Sequence, residues 1–344
     1  MQSNNNISST IVFPQVTYIN FIFFTIELLC TFISIFNMSR LLYASKYKIS
    51  LLKVNEISST MKLYLAVNVF CGITTLPYLL YKVVWWRPPN FQGNDQPLYS
   101  FVIFHFISGI FYALHFSVSS ILVFILCLDR CLVIKMSNLW EEKKRKMFIK
   151  LGIFFVIIVY FGCGFSYVFE LPLDYNTLKY CETQTCMQHR LKNYPILFVK
   201  TCFGICNIIC CIVFLKLLAR VGGDTAKKLD NRIIKITVII EIFLNIVPGE
   251  GNIIYKAITG YSLSVYTGEL SYLTLSLELA ICGVFYWRKF KTRPGTQVTL
   301  LTSHKNLNNT PKQPWTDMVY VPLSYKSQKV ESGTPWYATM HSTS

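Results

Sequence analysis

The chain has 344 residues, of which 53% are hydrophobic and only 15% are charged, whereas soluble domains carry about 25% charged residues. This composition excludes an ordinary soluble enzyme, and the 26 Phe and 21 Tyr exclude a disordered chain. The formal net charge is +16, which fits nucleic acid binding, anionic lipid binding or membrane topology. Because the apolar residues occur in long runs, the sequence predicts a polytopic membrane protein.

Seven runs are long enough to cross the hydrocarbon core of a bilayer, which takes about 20 apolar residues. In chain order they are Tyr18–Tyr43, Met61–Val84, Ser100–Ile134, Met147–Glu170, Tyr194–Leu218, Ile233–Tyr255 and Val265–Trp287. We therefore predict an all-α membrane protein, a seven-transmembrane helix bundle over residues 18–291. A short segment, 1–17, precedes it and a tail, 292–344, follows it.

The basic residues indicate the orientation of this bundle. Of the 33 Lys and Arg residues, 26 fall on the side that holds the tail, six fall on the other side, and Lys200 lies within a span. The positive-inside rule then places the N-terminus outside and the C-terminus in the cytosol. On that orientation Asn6, in the sequon Asn6-Ile7-Ser8, is a candidate glycosylation site. The expected partner for the charge is the lipid bilayer rather than nucleic acid.

Most of the twelve cysteines fall within the predicted spans. Cys181 and Cys186 lie instead in the outer loop between the fourth and fifth spans, where the sequence allows either a disulfide or two free thiols. Cys202, Cys206 and Cys210 share one helix face, a spacing that suits a soft-metal site or small packing residues. We favour packing, and we predict no metal, no cofactor and no catalytic centre.

The most specific chemical pattern lies at the inner end of the third span, where an apolar run ends in Asp129-Arg130-Cys131. Such charges are costly in a membrane unless they have a purpose; a snorkelling arginine with an acidic neighbour is the alternative. The pattern resembles the Asp-Arg-Tyr motif of rhodopsin-like G-protein-coupled receptors, with Cys131 in place of Tyr. The resemblance implies that Asp129 holds Arg130 at rest, and that the freed Arg130 contacts a heterotrimeric G protein.

Other positions match that family unevenly. Asn68 lies nine residues before Pro77, where the family has a buried acid, and His105 stands where it has a cysteine. Residues 282–286 keep only Tyr286 from the family's Asn-Pro-x-x-Tyr motif, which adds Tyr286 to the expected G-protein switch. A chain of this kind is most similar to the nematode serpentine chemoreceptors. That likeness implies a plasma-membrane receptor of sensory neurons, in the cilium, for an odorant, a pheromone or another small molecule.

Ionisable residues within the spans predict a ligand site, because each is costly unless it is paired or hydrated. Lys200, Glu250 and Glu269 fall in the outer halves of their spans, with Glu250 just outside Pro248, which resembles the kink proline of the sixth span. We expect them to converge at the mouth of the bundle; structural neutralisation of a carboxylate by Lys200 is the alternative. The complete set of expected ligand-binding residues is His105, Tyr112, Phe116, Lys200, Glu250, Glu269 and Tyr272.

A second group of polar residues lies deeper in the spans. Glu278 and Asn68 are expected to form an inner polar node, either a relay in switching or a buried protonated acid. A pair of Glu241 and Glu278 around a shared cation would favour a transporter, whereas Arg130 bound to Asp129 would favour a receptor. A seven-span ligand-gated channel with an inner N-terminus is the other alternative, and the distribution of basic residues argues against it.

The C-terminal region differs in composition from the bundle. Trp287–Lys291 combines basic and aromatic residues, and we expect a short amphipathic helix there on the inner leaflet. The remainder is rich in polar residues and is expected to be largely disordered. Its fourteen Ser and Thr between Thr296 and Ser344 make it a candidate for phosphorylation by a receptor kinase and for arrestin binding; a solvated linker is the alternative.

Overall fold

The computed structural model describes residues 14–47, 57–86, 101–136, 142–173, 175, 190, 194–221, 229–259 and 269–291. These residues belong to one compact unit, Met1–Arg293. A second unit, Pro294–Ser344, lies wholly outside the described residues. The predictions for Asn6, for Cys181 and Cys186, and for phosphorylation of the tail therefore fall outside the described part of the chain.

The described elements are helices, as the sequence predicted. They are α1 (Pro14–Tyr47), α2 (Ser59–Val84), α3 (Val102–Lys135), α4 (Glu142–Ser166), a 3-10 turn (Tyr167–Glu170), α5 (Tyr194–Val221), α6 (Leu229–Glu241), a π turn (Ile242–Ile246), α7 (Val247–Thr259) and α8 (Leu270–Phe290). Since α6, the π turn and α7 follow one another without a break, we call them together the sixth segment.

Six helices are long and apolar enough to cross a membrane: α1, α2, α3, α4 with its 3-10 turn, α5 and α8. This supports the prediction of a multi-pass membrane protein. The sixth segment is not among them, because the π turn divides it into two α-helices of 13 residues each. A seventh crossing and the side of the membrane on which each terminus lies remain predictions.

The π turn has a cause in the sequence. Pro248 is the second residue of α7, and proline has no backbone N–H and clashes with the carbonyl group four residues earlier. The turn Ile242–Ile246 lies directly before it, where a wider helical turn relieves that clash. Such turns are frequent at functional sites. The predicted kink proline therefore lies next to an irregularity of the sixth segment.

The ends of two helices correct or refine the predicted boundaries. At the start of α2 the backbone N–H of Met61 donates to the Oγ of Ser58 over 3.2 Å, which satisfies an amide that has no partner within the helix. At the C-terminal end of the described helices, α8 continues to Phe290. The residues from Trp287 to Phe290 are thus its last turn and do not form a separate amphipathic helix.

α3 lies at the centre of the bundle. In its most apolar stretch 83% of the residues are buried, against 17% for α4. It packs against α2, α4, α5 and α6, while α1 packs against α2 and α8. Large apolar side chains such as Phe36, Phe161 and Phe198 are exposed on the outside, as a lipid-facing surface requires. Functional groups on α3 are therefore surrounded by the other helices.

Candidate functional site

A continuous stack of aromatic rings crosses the bundle between α2, α3 and α8. Tyr78 stacks on His105 with ring centroids 5.5 Å apart and on Tyr112 at 4.5 Å. Tyr112 stacks on Tyr272 at 4.3 Å, and Tyr272 stacks on Phe116 at 4.5 Å. Each of these side chains is buried. Four of the seven predicted ligand-binding residues therefore form one group, to which Tyr78 adds a fifth ring.

Lys200 lies at the end of this stack. Its Nζ is 3.2 Å from the centroid of the Phe116 ring, a contact in which the negative face of the ring attracts the ammonium group. The amine also approaches the backbone of α7, because a Cβ atom added to Gly249 would lie 2.5 Å from it. A larger residue at this position would require the end of the lysine side chain to move. The side chain of Lys200 is 2% exposed, so its position is set by packing.

Glu250 and Glu269, the two carboxylic acids expected at the ligand site, lie among different sets of neighbouring residues. Lys200 interacts electrostatically with Glu250, and also with Glu241 and Glu278. Glu250 in turn accepts a hydrogen bond of 3.2 Å from the hydroxyl of Thr201. These contacts join α5 to the sixth segment and to α8.

Glu269 has a different set of neighbours, at the end of α1. It interacts electrostatically with Glu27 and Tyr112, and its backbone N–H donates to the Oδ1 of Asn20 over 3.1 Å. Glu27 is completely buried and accepts a hydrogen bond of 2.7 Å from the hydroxyl of Tyr112. Glu27 was not among the predicted site residues, although an acid in the middle of an apolar span was a sufficient signal.

A second basic residue, Lys82, lies near the opposite end of the stack from Lys200. Its Nζ is 5.5 Å from the centroid of the Tyr78 ring and 5.6 Å from that of Phe24. It also interacts electrostatically with His105. Lys82 is one of the six basic residues that the sequence places on the outer side, near the end of the second span, but its side chain is fully buried. The stack thus has a buried lysine near each end.

Two carboxyl groups meet in the middle of the bundle. Glu241, the last residue of α6, interacts directly with Glu278 of α8, and both side chains are fully buried. The Nδ2 of Asn245, in the π turn, donates to the Oε1 of Glu241 over 3.1 Å. Two such carboxyl groups can share a proton or hold a cation between them, and Lys200 is the nearby cation that the structure provides.

The predicted inner polar node has a different arrangement from the expected one. Asn68 donates from its Nδ2 to the backbone carbonyl of Tyr64 over 2.9 Å. Tyr64 interacts electrostatically with Glu278, so it is a neighbour of both predicted members. Tyr286 is hydrogen-bonded through its hydroxyl to Thr237 over 2.7 Å. The predicted switch residue Tyr286 therefore joins α8 to α6.

The acid and base at the end of α3 form a buried ion pair. The Nη2 of Arg130 lies 3.4 Å from the Oδ2 of Asp129. That same oxygen accepts a hydrogen bond of 3.2 Å from the Nη2 of Arg145 on α4. Asp129 is fully buried and Arg130 is 5% exposed, so neither is a boundary charge in open solvent. Arg145 was not predicted, because nothing distinguishes it within the basic run from Lys143 to Lys146.

Cys131 faces a different neighbour from Asp129 and Arg130. Its thiol lies 3.9 Å from that of Cys210 on α5, and Cys127 completes a group of three thiols. The three cysteines predicted on one face of α5 differ in burial: Cys202 is exposed and Cys206 is half-buried, whereas Cys210 is buried. Only Cys210 of that set joins the group.

Comparison with known proteins identifies no relative: no family model matches the chain, and no curated protein matches it.

Proposed function

We propose that this chain is a seven-helix receptor that binds a small molecule at the aromatic stack and activates a heterotrimeric G protein through Arg130. The single observation that carries the proposal is the buried ion pair of Asp129 with Arg130, further held by Arg145. Burying the charges of Asp129 and Arg130 is costly unless the arrangement serves a purpose. An acid that restrains an arginine at the end of the central helix suits a switch.

The two parts of the proposed receptor lie on the same helix. His105, Tyr112 and Phe116 supply three rings of the stack, and Asp129 and Arg130 lie further along α3. With a rise of 1.5 Å per residue, Phe116 is about 20 Å from Asp129 along the helix axis. A ligand that separates the stacked rings must move α3 relative to α2 and α8. Such a movement, transmitted along α3, would change the contact between Asp129 and Arg145.

The stack also indicates the chemistry of the ligand. Its members are planar and mostly apolar, with tyrosine hydroxyls at their edges and the ammonium group of Lys200 near one end. A ligand that replaces one ring would need a flat apolar body with a polar group that reaches Lys200. Odorants and pheromone-like small molecules meet this description.

We further propose that the sixth segment is the seventh crossing of the membrane, with the N-terminus outside and the C-terminus in the cytosol. The receptor would reside in the plasma membrane of a sensory cilium. The excess of basic residues on the side of the tail supports this orientation. It places Arg130 where a G protein can meet it, and it places the tail where a receptor kinase and arrestin act.

The test is the substitution Arg130→Ala in cells that express the full chain. Cells are exposed to mixed volatile and pheromone-like extracts, and G-protein activation is measured with and without a non-hydrolysable GDP analogue inside the cell. We expect a response in the unsubstituted protein that the analogue abolishes, and no response from Arg130→Ala at equal surface expression. Lys135→Ala, an exposed position on the same helix, is the control and should respond normally. Normal signalling by Arg130→Ala would contradict the proposed switch.

A second candidate function, a cation-coupled transporter, is favoured by one observation. Glu241 and Glu278 interact in the centre of the bundle beside Lys200 and a π turn, and paired acids inside a membrane often mark ion or proton pathways. Uptake of sodium ions or protons by liposomes that contain the purified chain would reveal it, and Glu278→Gln should remove that uptake. A cellular response that persists with the GDP analogue would also favour this candidate over the receptor.

A further inference from the structure

Three thiols from two helices converge at one end of the bundle. The sulfur atoms of Cys127, Cys131 and Cys210 all lie within 4.8 Å of one another. The sulfurs of Cys131 and Cys210 are 3.9 Å apart. This group was not predicted, since the sequence suggested a set on α5 alone. It plays no part in the proposed ligand site or in the ion pair of Asp129.

Helix geometry explains why the thiols meet. Cys127 and Cys131 are four residues apart on α3 and therefore point to the same side of the helix. That side faces α5, which packs extensively against α3. Cys210 projects from α5 between them, and all three side chains are at least 93% buried. The thiols are thus held in place by the packing of the two helices.

The distances suit a single metal ion. Three sulfurs at about 2.3 Å from one ion lie about 3.8 Å apart in tetrahedral geometry and about 4.0 Å apart in trigonal geometry. The separation of 3.9 Å between Cys131 and Cys210 falls between these values. Since no two of the sulfurs are more than 4.8 Å apart, a movement of less than 1 Å would bring every separation to about 4.0 Å. The helices would not need to separate.

The chemistry of the three donors narrows the class of ion. Thiolates are soft ligands, which select Cu⁺ and Zn²⁺ over Mg²⁺ and Ca²⁺. The group contains neither a carboxylate nor an imidazole, so a hard cation would have no suitable oxygen ligand. Asp129 and Arg130 lie close in sequence, but their side chains pair with each other.

We propose that Cys127, Cys131 and Cys210 form a binding site for one soft metal ion, Cu⁺ or Zn²⁺, that joins α3 to α5. Each thiol that binds loses its proton to water as its sulfur–metal bond forms, and neither the metal nor the sulfur changes its oxidation state. The ion would fix α3 against α5 within the same turn of α3 as Asp129 and Arg130. The site does not depend on the proposed receptor function.

The first test measures metal binding by the full chain, purified in detergent with reduced thiols and stripped of metal. Cu⁺ and Zn²⁺ are added in separate titrations against a coloured competing chelator. We expect one equivalent of at least one ion to bind, and the titrations show which of the two ions is preferred. Replacing any one of the three residues, as in Cys131→Ser, should weaken binding by more than about 100-fold, since even residues outside the ligand shell change affinity by 10- to 100-fold.

The matched control is Cys206→Ser, one turn before Cys210 on α5 and outside the group. It should bind metal as the unsubstituted chain does. Equal loss of binding in Cys206→Ser and Cys210→Ser would overturn the proposal. So would binding by the unsubstituted chain that is no tighter than that of the triple serine variant.

A second measurement needs no variant and so remains informative if the serine variants fail to fold. The unsubstituted chain is treated with a maleimide reagent, with and without bound metal, and modification at each cysteine is followed by mass spectrometry. In a concentration of denaturant at which the three thiols of the metal-free chain react, metal should slow the modification of Cys127, Cys131 and Cys210 together, whereas Cys202, which is exposed, should react at the same rate in both samples. Equal rates with and without metal at the three thiols would overturn the proposal.

Discussion

The substitution Gly249→Ala tests whether packing fixes the amine of Lys200. A Cβ atom at residue 249 would lie 2.5 Å from the Nζ and 2.8 Å from the Cε of Lys200. Ordinary contact needs about 3.5 Å, so the end of the lysine side chain must move by about 1 Å. The ring of Phe116 on α3 lies 3.2 Å from the same Nζ, so a displacement of the amine also changes its contact with that ring.

The size of the effect follows from the contacts that are lost. Overpacking a filled interior typically costs about 1–3 kcal/mol, and a desolvated cation on an aromatic ring contributes about 2 kcal/mol. Replacing glycine within a helix recovers up to about 1 kcal/mol through helix propensity. Gly251→Ala, two residues later on α7, measures this last contribution alone, since an added Cβ there meets no atom within 4 Å.

Two assays follow from this comparison. The temperature of unfolding of each purified variant should be lower for Gly249→Ala than for Gly251→Ala, in keeping with a difference of about 1–3 kcal/mol. In cells, Gly249→Ala should respond to active extracts less sensitively, because displacement of Lys200 disturbs the stack. If the two alanine variants are equally stable and equally responsive, Lys200 is not held between Phe116 and Gly249.

Three further predictions concern contacts between helices. Arg145→Ala removes one of the two cations on Asp129 and should raise basal G-protein activation. The control Lys150→Ala, at an exposed position on the same helix, should leave it unchanged. Unchanged basal activity in Arg145→Ala would contradict a restraining role for Arg145. Glu27→Leu and Tyr112→Phe each remove one partner of the same buried hydrogen bond of 2.7 Å, so their effects on unfolding should be non-additive, with a coupling of about 0.5–3 kcal/mol. Strict additivity would show that the bond does not form. Asn207→Leu removes a 3.0 Å hydrogen bond to a backbone carbonyl of α3 and should lower stability by about 0.6–2 kcal/mol, the range for such bonds within membranes, as measured by thermal unfolding.

The helices of this protein could be predicted from the sequence because their cause is local. An apolar run of about 20 residues in a membrane must satisfy its own backbone hydrogen bonds, which only a helix or a closed barrel achieves. The predicted spans accordingly agree with α1 to α5 and α8 to within a few residues at most ends. The π turn could be anticipated only in part, because Pro248 indicates an irregularity but not its form.

The sequence could predict several residues of the candidate site, but not which of them contact one another across helices. Tyr112 and Phe116 are four residues apart on one helix, so their common face follows from the sequence. That Tyr272 of α8 lies against both rings depends on how α3 and α8 pack. Similarly, the sequence grouped Lys200, Glu250 and Glu269, whereas the packing of the helices places Glu269 with Glu27 and Tyr112.

The sequence by itself determined which segments are helical and apolar, which residues carry charge inside them, and that Asp129 adjoins Arg130. Each of these properties depends on neighbouring residues along the chain. Only the tertiary structure decided that Arg145 shares the carboxylate of Asp129 and that Cys210 joins the two thiols of α3. Contacts between helices depend on the rotation and spacing of both helices, which the pattern of one helix does not contain.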